Sequence, residues 1–419
     1  MEAYLLDWAN LLLRWLHVIT VIAWIGSSFY FVFLDNNLLK PTDPDLKEKG
    51  VDGALWAVHG GGFYNPQKYM VAPKSIDSHL HWFYWEAYST WLSGFALFTV
   101  LYLWNASSFL VDKSLMDWTP VQAGFAAIGF LASFWLIYDN VCRWFGFKDR
   151  SELYIGLCML VVVGIYCVLS TYLFAGRAAF LIVGASIATT MSANVFFWII
   201  PGQKTVVKVM TSGEPYNPSD LAIHGKRGKQ RSVHNTYFTL PVLFAMLSNH
   251  YHFLYGNAHP AAVLFVMMLC GALIRQYFVQ RHAYLNQRAK HPWPFAVLGV
   301  IGILILIYAM RPESSDASPK SLSSQQSVDS GSPVLYTQVQ PILQQRCYPC
   351  HGSEMQMKNV RLDSRELVAK NASNMYQQVV LLKQMPMNNA TGITEEERAT
   401  IGRWFNSGAD VSHVSPTKN

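Results

Sequence analysis

The chain has 419 residues, of which 52% are hydrophobic, 14% aromatic and only 14% charged. This composition is too apolar for an ordinary soluble protein of that length and predicts a membrane protein. The formal net charge is only +6, and basic residues that set the orientation of membrane helices account for such an excess. We therefore expect a lipid bilayer as a partner and no nucleic acid.

Eight apolar stretches in the first 311 residues have the length of a membrane-spanning helix. A hydrocarbon core about 30 Å thick requires roughly 20 apolar residues of helix. The first stretch is too long for a cleavable signal peptide, so we expect it to remain as helix one. We predict an all-α fold whose residues 1–311 form a polytopic eight-helix transmembrane bundle. The expected spans lie near 11–34, 85–104, 120–141, 153–174, 177–200, 237–255, 259–280 and 292–310.

The Lys and Arg residues between these stretches predict the orientation of the bundle. Loops rich in basic residues stay in the cytoplasm. The loops expected on one side hold nearly all of these residues, whereas the opposite loops hold only Lys113 and Arg177. Both termini should therefore lie outside the cytoplasm, as in a multi-pass protein of a bacterial inner membrane with a periplasmic C-terminal part.

A change in composition after the last apolar stretch marks a second part of the chain. Residues 312–332 are rich in serine and poor in apolar residues, so we expect a flexible linker. Residues 333–419 regain the pattern of a small globular domain. Ser332 followed by Pro333 is a typical helix start. The apolar face of that helix would consist of Val339, Ile342 and Leu343.

The Cys-Tyr-Pro-Cys-His run at 347–351 matches the attachment pattern of a c-type haem. Two cysteines at this spacing can form thioethers with the haem vinyl groups, and the adjacent histidine reaches the iron from one side. The alternative is a structural zinc or a pair of reduced thiols. We predict a covalent haem c on Cys347, Cys350 and His351. The order of first helix, haem motif, ligand loop and last helix resembles a small class I cytochrome c domain.

A methionine between the haem motif and the last helix is expected as the second axial ligand, because a thioether raises the potential of the haem. Met385 stands directly before a proline, as this ligand does in many short cytochromes, and Met387 is the alternative. A capping box at 394–397 predicts the start of the last helix. The apolar stripe of this helix would consist of Ile401, Trp404 and Phe405.

Polar residues within the apolar stretches are costly to bury and mark candidate functional positions. Near the outer ends lie His17, His250 and His252, and two histidines on facing helices can clamp a haem b. His17 with His250 or His252 is the candidate pair, although a single histidine in a helix is more often a packing residue. A second group lies toward the cytoplasmic ends: His79, His81, Glu86, Asp139, Asn194, His234, Asn235 and Arg275.

Five segments carry a family resemblance: 15–26, 60–88, 194–203, 234–241 and 248–251. In their combination they resemble the membrane-bound, cytochrome c-linked urate oxidase family, also described as urate hydroxylase or dehydrogenase. Members of this family join an eight-helix membrane domain to a C-terminal cytochrome c, and the resemblance extends over essentially the whole chain. It implies oxidation of urate to 5-hydroxyisourate, with electrons passed to cytochrome c instead of directly to oxygen.

Urate is a planar anion with carbonyl and N–H groups, so its site requires hydrogen-bonding side chains beside aromatic walls. The inner group of polar residues offers these types. Glu86, His81 or His234 is expected as the catalytic base, because a partly buried carboxylate or imidazole can be tuned toward neutral pH. Helix capping or loop structure is the alternative for each residue. The expected substrate-binding residues are Trp82, Asn194, Gln203 and Asn235.

The inferred oxidation removes two electrons, whereas one haem c stores one, and about 30 Å of hydrocarbon separates a cytoplasmic substrate from the cytochrome. Both points favour a haem b within the membrane domain. Electrons would continue to a soluble cytochrome c or a terminal oxidase, and water would supply the oxygen atom. Two other functions fit the same intramembrane residues: a quinol-oxidising cytochrome subunit, and a purine transporter or sensor with a regulatory cytochrome domain.

Overall fold

The computed structural model of the chain describes residues 2–69, 79–113, 115–147, 150–212, 214–287, 289–311, 334–357, 360–381 and 383–412. The described residues are mostly helical, with four short strands. They comprise a helical bundle up to residue 311 and a smaller helical part from residue 334 onward. The expected linker, 312–332, and the expected helix start at Pro333 lie outside the described residues.

The bundle contains twelve described α-helices. Two π-helical segments, Thr99–Leu103 and Val195–Ile199, extend α3 and join α7 to α8. The helices are α1 (Glu2–Asn37), α2 (Pro44–Glu48), α3 (Trp85–Phe98), α4 (Ala106–Phe109), α5 (Pro120–Phe145), α6 (Ser151–Leu173), α7 (Gly176–Asn194), α8 (Ile200–Thr211), α9 (Pro218–Ser248), α10 (His252–Tyr255), α11 (Pro260–Leu285) and α12 (Trp293–Ala309).

Five helical stretches of the described chain are long and apolar enough to cross a membrane. α12 lies at the expected span 292–310, but it is a shorter apolar helix of 17 residues. The chain therefore has the helices of a membrane protein, and the prediction of eight spanning helices is confirmed only in part. The five stretches are Tyr4–Asn37, Pro120–Phe145, Ser151–Leu173, Gly176–Thr211 and Pro260–Leu285.

Some helices extend well beyond the spans that hydropathy predicts. α9 begins at Pro218 instead of near 237, and the helical stretch that contains 177–200 continues to Thr211. Hydropathy detects only the apolar part of a helix, whereas backbone hydrogen bonding continues through polar residues. The Lys- and Arg-rich first half of α9 is such a segment, and it presents basic side chains to neighbouring helices.

α7 lies at the centre of the bundle. The stretch that contains it is 61% buried, whereas the other four candidate spans are at most 28% buried. α5, α6 and α9 pack around α7. Gly184 allows α9 to approach closely, because a Cβ atom at that position would lie only 2.6 Å from Cβ of Ala245. Small residues on α7 thus let its neighbours bring their polar side chains together.

The segment between α1 and α3 contains two short antiparallel strand pairs that the sequence did not predict. β1 (Gly53–Ala54) pairs with β4 (Gln67–Lys68), and β2 (Ala57–His59) pairs with β3 (Gly62–Tyr64). Gly60 and Gly61, between β2 and β3, both have a positive φ. Glycine adopts this conformation without a steric penalty, which accounts for the tight turn.

The C-terminal part has four described α-helices and an apolar core of its own. α13 (Tyr336–Arg346) begins at Tyr336, later than the expected start at Pro333. It is followed by α14 (Tyr348–His351), α15 (Arg365–Met375) and α16 (Glu395–Asn406). The core includes the predicted apolar residues of the first and last helices. Val339, Leu343, Ile401 and Trp404 are fully buried, and Ile342 and Phe405 pack against them.

Glu397 takes part in two polar contacts, one of which connects the ends of this small domain. Thr394 and Glu397 form the predicted capping box at the start of α16. Glu397 also accepts hydrogen bonds from Arg346 at the end of α13, from Nε at 3.2 Å and from Nη2 at 3.1 Å. The ion pair therefore holds the segment just before the Cys-Tyr-Pro-Cys-His motif against the last helix.

Candidate functional site

A cluster of buried polar side chains lies where α5, α7 and α9 meet. Asn194 is fully buried, and its Nδ2 donates to the Tyr138 hydroxyl at 3.1 Å and to Oδ1 of Asn235 at 2.9 Å. Nδ2 of Asn235 donates to the carbonyl of Met191 at 2.9 Å. Because unpaired polar groups are costly among apolar helices, these bonds hold the side chains in one arrangement. Oδ1 of Asn194 has no hydrogen-bond partner among the described residues.

A row of three hydrogen-bonded side chains leads from this cluster to the surface of the bundle. The Tyr138 hydroxyl lies 2.8 Å from Nδ1 of His234, and Nε2 of His234 lies 2.8 Å from Oε2 of Glu152. A carboxylate only accepts, so Nε2 carries a proton, and in the neutral form of the imidazole Nδ1 accepts from the Tyr138 hydroxyl. Tyr138 is fully buried, whereas the Glu152 side chain is 59% exposed. The row can carry protons between the buried cluster and the surface.

Asp139 and Arg231 form a buried ion pair in the same region. Oδ1 of Asp139 accepts from Nη2 of Arg231 at 2.8 Å and from the indole N–H of Trp198 at 2.7 Å. Its Oδ2 lies 2.7 Å from Nε of Arg143. The side chains of Asp139 and Arg231 are 5% and 4% exposed. An unpaired charge at such a position would be strongly destabilising, so Asp139 and Arg231 require each other.

The π-helical segment Val195–Ile199 sets the direction of the side chains at the end of α7. Asn194 directly precedes the segment and bonds to Tyr138, and Trp198 lies within it and bonds to Asp139. A π-helical turn is wider than an α-helical one and changes which residues face a neighbouring helix, and such turns are frequent at functional sites. Here it lets Asn194 and Trp198 contact Tyr138 and Asp139, which are consecutive residues of α5.

The remaining residues of the expected inner site lie near the start of α3 and on α8. Trp82 is half-buried and packs against the apolar cluster that contains Val195. Glu86 is half-buried in the first turn of α3. His81 and Gln203 are exposed. The structure therefore brings Trp82 beside the π-helical segment, and it leaves His81 and Gln203 at the surface.

His17 and His250, the expected ligands of a haem b, lie in different surroundings. Nδ1 of His17 is 3.1 Å from the Ser93 hydroxyl, and its ring packs so closely on Gly94 that a Cβ there would lie 2.7 Å from Cε1. His250 is exposed and lines a cavity together with residues of the C-terminal part. The bis-histidine pairing stays a prediction. The side chain of His252 lies outside the described residues.

The residues of the Cys-Tyr-Pro-Cys-His motif fit a covalently attached haem. Nδ1 of His351 lies 3.1 Å from the carbonyl of Val360. A carbonyl only accepts, so Nδ1 carries the proton and the lone pair of Nε2 is available to a metal. Cys347 and Cys350 lie about one turn apart, and neither forms a disulfide. Burial raises the pKa of the Cys347 thiol to about 12.

A zinc site is the alternative use of these two thiols. Zinc in structural sites takes four His, Cys or carboxylate ligands. Within the described parts of the chain, no group of three or more His, Cys, Asp and Glu side chains is arranged to hold a metal ion. The described residues therefore do not supply a ready set of zinc ligands around the motif.

Met385 and Met387, the alternative axial ligands, have different neighbours. Met385 packs against the core of the C-terminal part, and its carbonyl accepts from Nη1 of the buried Arg398 at 2.8 Å. The sulfur of Met387 accepts from Nη1 of Arg177 in the first turn of α7 at 3.8 Å. Because the Met387 sulfur already contacts the helical bundle, these contacts favour Met385 as the ligand.

Residues 3–310, which are 308 of the 419 residues, match a family model described as urate oxidase N-terminal. The chain belongs to this family. Neither a curated protein nor a solved structure gives a significant match. The match covers the helical bundle with its buried polar cluster, and it indicates a urate-related function and an oxidoreductase activity on urate. The Cys-Tyr-Pro-Cys-His motif lies beyond the matched residues.

Sequence reasoning found only part of the polar cluster in this urate oxidase N-terminal domain. It missed Tyr138 and Glu152, because a tyrosine in a span and an acidic residue in a first helical turn are both common. It also missed Arg231, whose position before the expected span 237–255 assigned it to a loop. The spacing of Arg231, His234 and Asn235 is a signal that it could have used, since residues three and four apart share one helix face. The cluster residues it did find are Asp139, Asn194, His234 and Asn235.

Asp139→Asn should lower the free energy of unfolding of the urate oxidase N-terminal domain by about 3–5 kcal/mol, because Arg231 would keep its buried charge without a carboxylate. Denaturation of the purified protein in detergent measures this change. Asp52→Asn is the matched control, since Asp52 and its partner Lys40 are 36% and 79% exposed. Loss of that surface pair should change the stability by less than about 1 kcal/mol. Equal effects of the two substitutions would contradict a structural role for the buried pair.

Proposed function

We propose that the chain is an integral-membrane oxidoreductase that oxidises urate to 5-hydroxyisourate and takes the added oxygen from water. A c-type haem held by its own C-terminal part would take up the electrons. The observation that carries this proposal is the hydrogen-bonded row of Tyr138, His234 and Glu152 inside a urate oxidase N-terminal domain. The Cys-Tyr-Pro-Cys-His motif of the same chain supports the choice of electron acceptor.

The reaction requires a route for protons out of a buried site. Urate and water give 5-hydroxyisourate, two electrons and two protons. Tyr138 can accept a proton at its oxygen while it passes its own proton to Nδ1 of His234, and Nε2 then releases a proton to Glu152. The exposed Glu152 side chain returns the proton to solvent. This geometry favours His234 as the base over His81, which is exposed, and over Glu86.

Asn194 and Asn235 supply hydrogen-bonding groups for a substrate next to this row. Oδ1 of Asn194 is buried and accepts no hydrogen bond from the described residues. Urate has ring N–H groups, and one of them would satisfy this acceptor. Asn235 fixes the direction of the Asn194 amide, because it accepts one of its two N–H groups. Asn194 is therefore proposed to bind the substrate directly, and Asn235 to position it.

The C-terminal part supplies the ligands for the haem. Cys347 and Cys350 would attach it, and His351 and Met385 would bind its iron. When bound, the haem takes up and releases single electrons, which would continue to a soluble cytochrome c or a terminal oxidase. Haem attachment outside the cytoplasm supports the expected orientation, with both termini in the periplasm of a bacterial inner membrane. We propose a haem b on His17 and His250 as a second cofactor.

Purified protein given urate and an excess of oxidised cytochrome c without air should turn over, because water supplies the oxygen and oxygen gas is not a substrate. Two molecules of cytochrome c should be reduced for each urate, and labelled water should provide the new hydroxyl oxygen. Replacing urate by a quinol should give no reduction. Label from molecular oxygen, or hydrogen peroxide in equal amount to product, would overturn the proposed reaction. Bound urate without turnover would instead favour a transporter or sensor.

His234→Gln should lower kcat for urate by about a hundredfold or more, the contribution typical of a general base. Urate affinity should change little, since Asn194 and the aromatic side chains remain. His59→Gln is the matched control, because His59 is exposed on β2. Stopped-flow reduction of the c-type haem measures the rate, and haem content and thermal stability show that each variant is folded. Equal rates for the two variants would remove His234 from the proton route.

Met385→Leu should leave the haem attached but abolish the spectrum of the methionine-ligated state and lower the reduction potential. The thioethers and His351 do not depend on the sixth ligand, whereas a thioether ligand raises the potential. Met387→Leu is the matched control and should keep both properties. Visible absorption spectra and a redox titration measure the outcome. The reverse pattern would assign Met387 as the ligand.

A further inference from the structure

A second candidate binding site lies beside Trp198, where the π-helical segment, α8 and α9 meet. A cavity of about 130 Å³ opens there, and its lining includes Phe197, Trp198, Thr205, His224 and Arg227. The lining combines aromatic rings with a hydroxyl, an imidazole and a guanidinium. Such a combination of apolar surface with a few polar groups is typical of a ligand site.

The cavity lies in a strongly cationic part of the bundle. Three guanidinium groups surround the Trp198 ring, with Cζ of Arg143 at 5.0 Å and Cζ of Arg227 and Arg231 at 5.5 Å from its centroid. Asp139 pairs with Arg143 and Arg231, whereas Arg227 has no ion-pair partner within the described residues. The positive charge thus exceeds the negative charge around the ring, which favours an anionic ligand.

Arg231 lies between the cavity and the hydrogen-bonded row of Tyr138, His234 and Glu152. Its guanidinium lies over the Trp198 ring and also over the Tyr138 ring, at 4.9 Å from the centroid. Nη1 of this buried residue has no hydrogen-bond partner among the described residues. A buried donor without a partner is costly and marks a place where an acceptor oxygen would be favourable. The cavity and the Asn194 cluster are therefore adjacent parts of one region.

We propose that the Trp198 cavity captures the urate anion on its way to the Asn194 cluster. The flat ring of the anion would lie against Trp198, and its negatively charged oxygen atoms would accept hydrogen bonds from Arg227 and His224. This inference rests on the proposed function, for which it names the recognition site. A lipid phosphate would gain from the arginines but not from the flat aromatic wall, so the lining favours a planar anion.

Equilibrium dialysis with radiolabelled urate tests the proposal. The full-length protein is placed in nanodiscs of phosphatidylcholine and kept reduced, so that bound urate is not oxidised. Arg227→Gln should raise the Kd for urate by about tenfold or more, as expected for loss of a charge-assisted hydrogen bond. Lys229→Gln removes the same charge from an exposed position of α9 and should leave the Kd unchanged. Arg227→Lys should restore part of the affinity.

Two outcomes would overturn the proposal. The first is equal affinity of Arg227→Gln and Lys229→Gln for urate. The second is loss of urate binding when phosphatidylglycerol replaces phosphatidylcholine, because the cavity would then be a lipid headgroup site. Hypoxanthine, an uncharged purine, should compete with urate only weakly if the anion is recognised, and strong competition would also contradict the proposal.

The same variants separate this proposal from the proposed function. If the protein shows no urate oxidation but Arg227→Gln still weakens urate binding, the recognition site stands and the oxidoreductase reaction fails. If the protein oxidises urate and Arg227→Gln has an unchanged kcat/KM and Kd, the reaction stands and the recognition site fails. A rise in KM with little change in kcat is the result expected for a capture site.

Discussion

Asp139 and Arg231 hold opposite charges within a bundle of apolar helices, and neither can be buried there without the other. Their ion pair joins α5 to α9, and the indole N–H of Trp198 ties the same carboxylate to the π-helical segment after α7. Three elements of the bundle are thus fixed by one carboxylate. The surrounding packing is compatible with this arrangement because small residues such as Gly184 let α7 and α9 approach closely.

The hydrogen-bonded row of Tyr138, His234 and Glu152 depends on this ion pair, because two of its members lie next to the paired residues on the same helices. Tyr138 directly precedes Asp139 on α5, and His234 follows Arg231 by about one turn on α9. The ion pair sets the register between these two helices, so the Tyr138 hydroxyl and His234 meet at 2.8 Å. Structural and catalytic roles are therefore coupled: the contact that compensates the buried charge also aligns the proposed proton route.

The C-terminal part is stabilised mainly by an apolar core. Its core is formed by apolar residues of α13, α15 and α16, and the ion pair of Arg346 and Glu397 connects the two ends of the domain. Polar contacts then hold the residues proposed to bind haem: Val360 fixes the imidazole of His351, and Arg398 fixes the loop of Met385. The helical bundle and the small C-terminal domain thus fold around separate cores.

The sequence by itself determined the membrane character of the chain, the positions of most helices, the capping box at Thr394 and the family resemblance. These features depend on local composition, periodicity and motif spacing, which a single sequence contains. Only the tertiary structure decided that Asn194 and His234 share Tyr138 as a partner, that Arg231 is buried, and that Gln203 is exposed. Hydropathy assigned the first half of α9 to a loop because its residues are basic. Whether a basic side chain faces solvent or a buried carboxylate depends on the packing of other helices, which no local pattern records.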